Sequence, residues 1–199
     1  MIQTRTTKER ILGAAKTIML EKGFHAVGLN EILKSEQVPK GSFYHHFESK
    51  EQCGVEMLRY YVSDASAHKR RMLLSSAPEA NPRLRLITYL ESIIASFIAN
   101  DGKCPCLVLK LASEVSDFSE SMRQVLVDGY QEWIGITEAA IREGLEKGAL
   151  RCEMEPRLAA MVINDFWTGA LQRASVERNS EPLRETLSFI TQRIILHPS

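Results

Sequence analysis

The sequence predicts an all-α fold, on three observations. Apolar residues recur at spacings of three and four in almost every segment, no segment of useful length alternates with period two, and helix start and stop residues punctuate the periodic stretches. "TTKE" opens the first helix as a capping box: the Thr6 hydroxyl accepts from the Glu9 N–H while Glu9 reaches back. Behind it Ile11, Leu12, Ala15, Ile18 and Met19 form an inward stripe, and Gly23 stops the helix. A short helix over about 29–35 turns Leu29, Ile32 and Leu33 inward. Pro39 suits a first helical turn and not an interior, so it starts a new short helix. A long amphipathic helix runs from Lys50 to about Met72, and "SSAPEANP" reads as a hinge after it. Further helices are expected near 83–99, 105–113, 119–147, 156–177 and 182–196, with stops at Gly148 and "NSEP", about nine helices in all.

This pattern divides the chain into a head over 1–50, a connecting helix from about 50 to 74, and a body over 75–199. With 199 residues and 44% hydrophobic composition there is enough apolar surface for a real core. The formal net charge is zero, which removes any global electrostatic case for a nucleic acid or a membrane surface. Its distribution is uneven: residues 1–50 carry 8 Lys and Arg against 5 acids, and the other 149 carry 17 against 20. A mildly basic head on a mildly acidic body points to two jobs. No apolar run approaches the roughly 20 residues of a bilayer span, and the charged start is not followed by a signal-peptide core, so a cytoplasmic protein is expected. Cys53, Cys104, Cys106 and Cys152 lack the spacing of a disulfide framework and are expected as free thiols.

The stretch "PKGSFYHHFESKE" carries the chemistry of the head. On a helix begun at Pro39, Phe43 and Phe47 share one face with Val38 and turn to the core. Gly41 and His45 point the opposite way with Ser42 and Tyr44 on the flanks, preceded by Lys40. One small residue, a hydroxyl, a phenol, an imidazole and an ammonium suit a DNA groove, where they reach base edges and phosphates. Ser49 is the expected N-cap of the following helix, and Lys50 with the free N–H groups of that first turn makes an anion site of phosphate type. The bland reading of the same residues is a short amphipathic helix with a polar outer face.

The segment "GLNEILKSEQVPKGSFYHHFESKE", with the helix before it, closely resembles the DNA-binding head of TetR-family transcriptional repressors, whose signature ends in Tyr, one or two variable residues, Phe and then Ser-Lys-Glu. The resemblance implies a homodimer that reads a palindromic operator. Its DNA contacts fall on Lys40, Ser42, Tyr44 and His45, with Gly41 allowing close approach and Lys50 on the phosphate backbone. Two positions depart from the family's pattern: Gly28 replaces the usual Thr or Ser cap of the second helix, and Gln37 replaces the Gly of the turn.

Within that family, "GKCPCLVLKLASEVSDFSESMR" is similar to the NemR-like subgroup, which senses electrophiles and reactive chlorine species, and to acrylate-responsive relatives. The resemblance puts the sensing thiol on Cys106. Physically, Pro105 sets Cys106 near a helix N-terminus, where the macrodipole, Lys103 and Lys110 favour a thiolate that oxidants and electrophiles attack. The bland reading is a buried small hydrophobe continuing Leu107, Val108 and Leu111. Cys104 is the candidate resolving partner. Ser175 stands where the subgroup has a lysine near the thiol, so a cysteine–lysine switch is not carried over, and Arg173 offers only charge.

Tyr89, Phe97, Met122, Tyr130, Trp133 and Trp167 fall at helical spacing and are first core residues, then candidate pocket lining for a small inducer. Ile163, Phe166 and Ala170, with Leu183, Leu187, Ile190 and Ile194, make two apolar stripes expected to form a four-helix dimer interface. No metal set is expected, because "CPC" lacks a His or second Cys pair at ligand spacing, and no cofactor loop is recognisable. The expected function is a repressor released from its operator when the body senses an electrophile or oxidant at Cys106. Alternatives are a repressor answering a reversible apolar ligand without thiol chemistry and, more remotely, a thiol redox enzyme.

Overall fold

The computed structural model of the chain describes residues 6–74 and 81–198. These form helices α1 (Thr7–Lys22), α2 (Leu29–Ser35), α3 (Lys40–His46), α4 (Lys50–Leu73), α5 (Pro82–Ala99), α6 (Leu107–Val115), α7 (Glu120–Glu146), α8 (Pro156–Glu177) and α9 (Glu181–Arg193). The hinge expected at "SSAPEANP" falls largely on 75–80, outside the described residues.

Two compact units emerge from the packing, and their boundaries fall inside α4, between Pro105 and Cys106, and inside α7. The first holds the chain up to Asp64 together with Cys106–Asp128. Its first helix begins with the expected capping box: the Glu9 N–H donates to Thr6 Oγ1 at 3.2 Å and the Thr6 N–H donates to Glu9 Oε2 at 2.8 Å. Ile11, Ala15 and Met19 are fully buried at spacing four, against α2, α3 and α6. Gly23 ends α1 with φ 86°, the left-handed region where a side chain is strained.

In the second unit, Ala65–Pro105 and Gly129–Ser199, α9 packs on both α5 and α8. Asn81 caps α5 through Arg83 N–H and Leu84 N–H, with Pro82 in the first turn. The Arg83 guanidinium in turn donates to the carbonyls of Thr191 and Ile195, which the end of α9 leaves without helical partners. Helix α9 stops earlier than its periodicity predicts. Leu196 instead exchanges two backbone hydrogen bonds with Arg151, 2.8 and 3.1 Å, and this bridge takes over the N–H and C=O a longer helix would have used. Helix α8 ends at Glu177, as its periodicity predicts, with Arg178 as its C-cap, a non-glycine residue in the left-handed region at φ 53°.

Candidate functional site

Helix α3 is anchored by two rings. Phe43 and Phe47 are 0% and 1% exposed with centroids 5.2 Å apart, while Tyr44 is 54% exposed. Lys40, Gly41 and His45 are exposed as well, and Ser42 and His46 are half-buried. A Cβ on Gly41 would meet no packing atom of the described residues within 4 Å, so the fold does not require glycine there. The turn before α3 carries Gln37 at φ 52°, so the position where the family pattern has Gly is left-handed here despite its side chain. Gly28 sits at the α2 N-cap and supplies no side-chain cap bond.

Lys50, the expected phosphate contact, is half-buried and has partners within the head. Its ammonium donates to the Phe24 carbonyl at 2.7 Å and lies 4.4 Å from the Phe24 ring centroid, and burial lowers its pKa against the opposing charge of Glu114. In the absence of DNA the cation therefore rests against the Phe24 carbonyl and ring, half-buried. Ser49 does cap α4, its hydroxyl accepting from Gln52 N–H at 3.0 Å.

Cys106 is the N-cap of α6, two residues past the predicted start, with extended backbone and no cap bond from its own side chain. The Tyr61 hydroxyl from α4 fills that role: it accepts from Leu107 N–H at 3.2 Å and also hydrogen-bonds the Cys106 thiol. The Val108 and Leu109 N–H groups face the same sulfur. The thiol's ionisation runs opposite to the expectation. Burial pushes its pKa up, and the donors of Leu109, Tyr61 and Val108 only partly offset this. Lys103 and Lys110 are both exposed, so their expected support for a thiolate is screened by water. Cys104 is half-buried; burial also raises Cys152, and pushes Cys53 up to about 12. Ser175 turns its hydroxyl to the Leu171 carbonyl at 2.7 Å, and Arg173 is paired with Glu185 at 2.7 Å.

The candidate pocket residues do not form one set. Tyr89, Phe97, Tyr130, Trp133 and Trp167 belong to the second unit, but Met122 belongs to the first, where a Cβ on Gly54 would overlap its methyl. Met122 is therefore core of the head's unit, packed where glycine lets two helices approach. Phe97 and Trp167 are buried, the Trp167 indole N–H without a partner among the described residues, while Trp133 donates to Ser66 Oγ at 3.0 Å. A cleft of about 660 Å³ opens between α5 and α9, lined by Ile87, Ile94, Ile98, Leu187 and Arg184 among others, and none of the six expected residues lines it. Unforeseen in the sequence, Lys69 on α4 is 7% exposed with its ammonium 5.4 Å from the Tyr89 ring centroid, and burial pulls its pKa down to about 7.

The interface stripes are also corrected. Ile163, Ala170, Leu183, Ile190 and Ile194 are buried within the single chain, because α8 and α9 pack on each other and use those stripes themselves. Leu187 is half-buried, and Phe166 stays exposed, its ring 5.5 Å from the exposed Phe189 and on the same helix as the exposed Leu158 and Met161. No helix of the described residues is long and apolar enough to cross a membrane, and none of their His, Cys, Asp and Glu side chains cluster to hold a metal ion.

Residues 11–57 match the family described as bacterial regulatory proteins, tetR family, and residues 82–190 match the tetracyclin repressor-like C-terminal domain. The HTH-type transcriptional repressor NemR of Escherichia coli (strain K12) is 37% identical over 194 residues, 97% of this chain and 96% of that protein. The HTH-type transcriptional repressor DhaR of Mycobacterium sp. (strain GP1) is 32% identical over 190 residues, 94% of this chain and 92% of that protein. The crystal structure of E. coli NemR in its reduced form has a TM-score of 0.89 at 35% identity, covering 98% of this chain and all of that one.

Proposed function

The chain belongs to the TetR family of helix-turn-helix transcriptional repressors, and from that premise we propose that it is an electrophile- or oxidant-responsive repressor whose DNA contacts lie on α3. Repressors of this family bind DNA operators and are typically dimers. Residues 1–50 serve as the reading head and 75–199 as the regulatory and dimerising part. The observation that carries the reading is directional: Lys40, Gly41, Tyr44 and His45 are exposed on α3 while Phe43 and Phe47 anchor it. Two such helices, about one DNA turn apart in a dimer, suit a palindromic operator. The exposed Phe166, Phe189, Leu158 and Met161 support a dimer surface on the outward side of α8 and α9, in place of the buried stripes.

Cys106 is the proposed sensor. In conjugate addition its sulfur bonds to the β-carbon of an unsaturated carbonyl compound, the carbon–carbon double bond opens, and the proton lost from sulfur is replaced by one at the α-carbon. Three donors around the sulfur stabilise the thiolate that forms transiently, although burial keeps the resting group protonated. That raised pKa is also the observation favouring a second reading, a reversible ligand with no thiol chemistry. A Cys106→Ser protein that still leaves its operator fully in the presence of the inducer supports the second reading and refutes the first. The DNA contacts are tested by selecting bound sequences from a random pool. His45→Ala and Tyr44→Ala should change the selected sequence, whereas Lys40→Ala should lower affinity for all sequences and reduce the salt slope by about one. Unchanged selection by all three refutes the assignment.

A further inference from the structure

Helix α6 has a functional group at each end. Cys106 occupies its N-cap position, and Glu114 stands in its last turn. A carboxylate near a helix C-terminus opposes the macrodipole, so local helix energetics do not explain Glu114. Its partners do. It accepts from the Phe24 N–H at 2.9 Å, the His25 N–H at 2.5 Å and the His25 ring Nδ1 at 2.9 Å, all in the segment that joins α1 to α2. A Cβ on Gly23 would lie 2.7 Å from Glu114 Oε2, so the glycine that ends α1 is also what lets the carboxylate seat. The gripped residue is held from other sides too: Lys50 takes the Phe24 carbonyl and ring, and the Phe118 ring lies 5.6 Å away.

We infer that Glu114 is the coupling residue of the switch, a positioning group that transmits displacement of helix α6 to the α1–α2 turn and so to α3. The inference rests on the reading of Cys106 as sensor. Adding a substituent to the sulfur displaces the Tyr61 hydroxyl and the first-turn N–H groups that now surround it. A helix of 9 residues moves as a rigid rod on that scale, and its far end pulls on Phe24 and His25 through charge-assisted hydrogen bonds.

The test uses the full-length protein, its selected operator, and N-ethylmaleimide as the probe, with operator affinity read by fluorescence anisotropy before and after alkylation. Wild type should lose about tenfold or more in affinity on alkylation, and Cys106→Ser should lose none. Glu114→Ala should bind the operator before alkylation but change by less than about twofold after it, and Glu114→Gln, which keeps one acceptor, should fall between. A purely structural role would lower affinity in both states and leave their ratio intact. If Glu114→Ala does not fold, as judged by thermal unfolding, the Gln variant decides. A wild-type ratio retained in the Glu114 variants overturns the inference, while a wild type indifferent to alkylation overturns the reading of Cys106 and the inference with it.

Discussion

Replacing Lys69 by Met should stabilise the protein, and more so at low pH. The lysine is 7% exposed, its ammonium lies 5.4 Å from the Tyr89 ring centroid, and burial lowers its pKa from 10.5 to about 7. At about 1.4 kcal/mol per tenfold in proton affinity, that fall sets on the order of 5 kcal/mol against keeping the amine charged in the native state. The cation–π contact returns roughly 1 kcal/mol, which leaves an expected gain of about 2–4 kcal/mol for an apolar side chain of similar length. Between pH 7 and 10.5 the unfolded chain holds the proton that the native chain has released, so wild-type stability rises with pH across this window. Below pH 7 the penalty is present in full, and by 10.5 it has gone. Urea unfolding at fixed protein concentration, at about pH 6 and about pH 9, measures both terms, with equal slopes required for the comparison. A Met variant no more stable than wild type at the lower pH, or a gap of the same size at both, would refute the reasoning.

Tyr61→Phe removes a donor from the Cys106 sulfur and an acceptor from Leu107 N–H, so the thiol should become still harder to ionise; alkylation of Cys106 followed by mass spectrometry near pH 8 should slow by about three- to tenfold, and an unchanged or faster rate contradicts the assigned hydrogen bond. Gln37→Gly relieves a side chain held at φ 52° and should stabilise the head by about 0.5–1 kcal/mol in chemical denaturation, whereas a loss of stability would mean that the side chain of Gln37 contributes more than its backbone conformation costs.

Helix positions were legible wherever a local group made the decision. The Thr6–Glu9 box, the Gly23 stop, Ser49 as a cap and the division of "FYHHF" into buried Phe43 and Phe47 and exposed Tyr44 and His45 all follow from neighbours within four residues. The failures share a different cause. The stripes on α8 and α9 were correctly read as apolar, but Ile163, Leu183 and Ile190 are covered by the chain's own helices, and periodicity cannot say which surface covers a stripe. Likewise, a helix-start position does not reveal that the Lys50 ammonium also reaches the Phe24 carbonyl, 26 residues earlier.

The sensor region shows the same division. That Cys106 lies at the start of a helix after Pro105 was determined by the chain itself, since proline's fixed φ and missing N–H act on immediate neighbours. That its thiol is held protonated, beside Tyr61 and 45 residues from it in sequence, was decided by packing, because desolvation depends on everything that surrounds a group and outweighs the helix end it sits on. Local propensity and capping therefore determined where the helices of this repressor begin and which face α3 turns outward. Tertiary structure decided how far cations and thiols are withdrawn from water, and with that the direction in which the pKa values of Cys106 and Lys69 move, and the grip of Glu114 on the turn before α2.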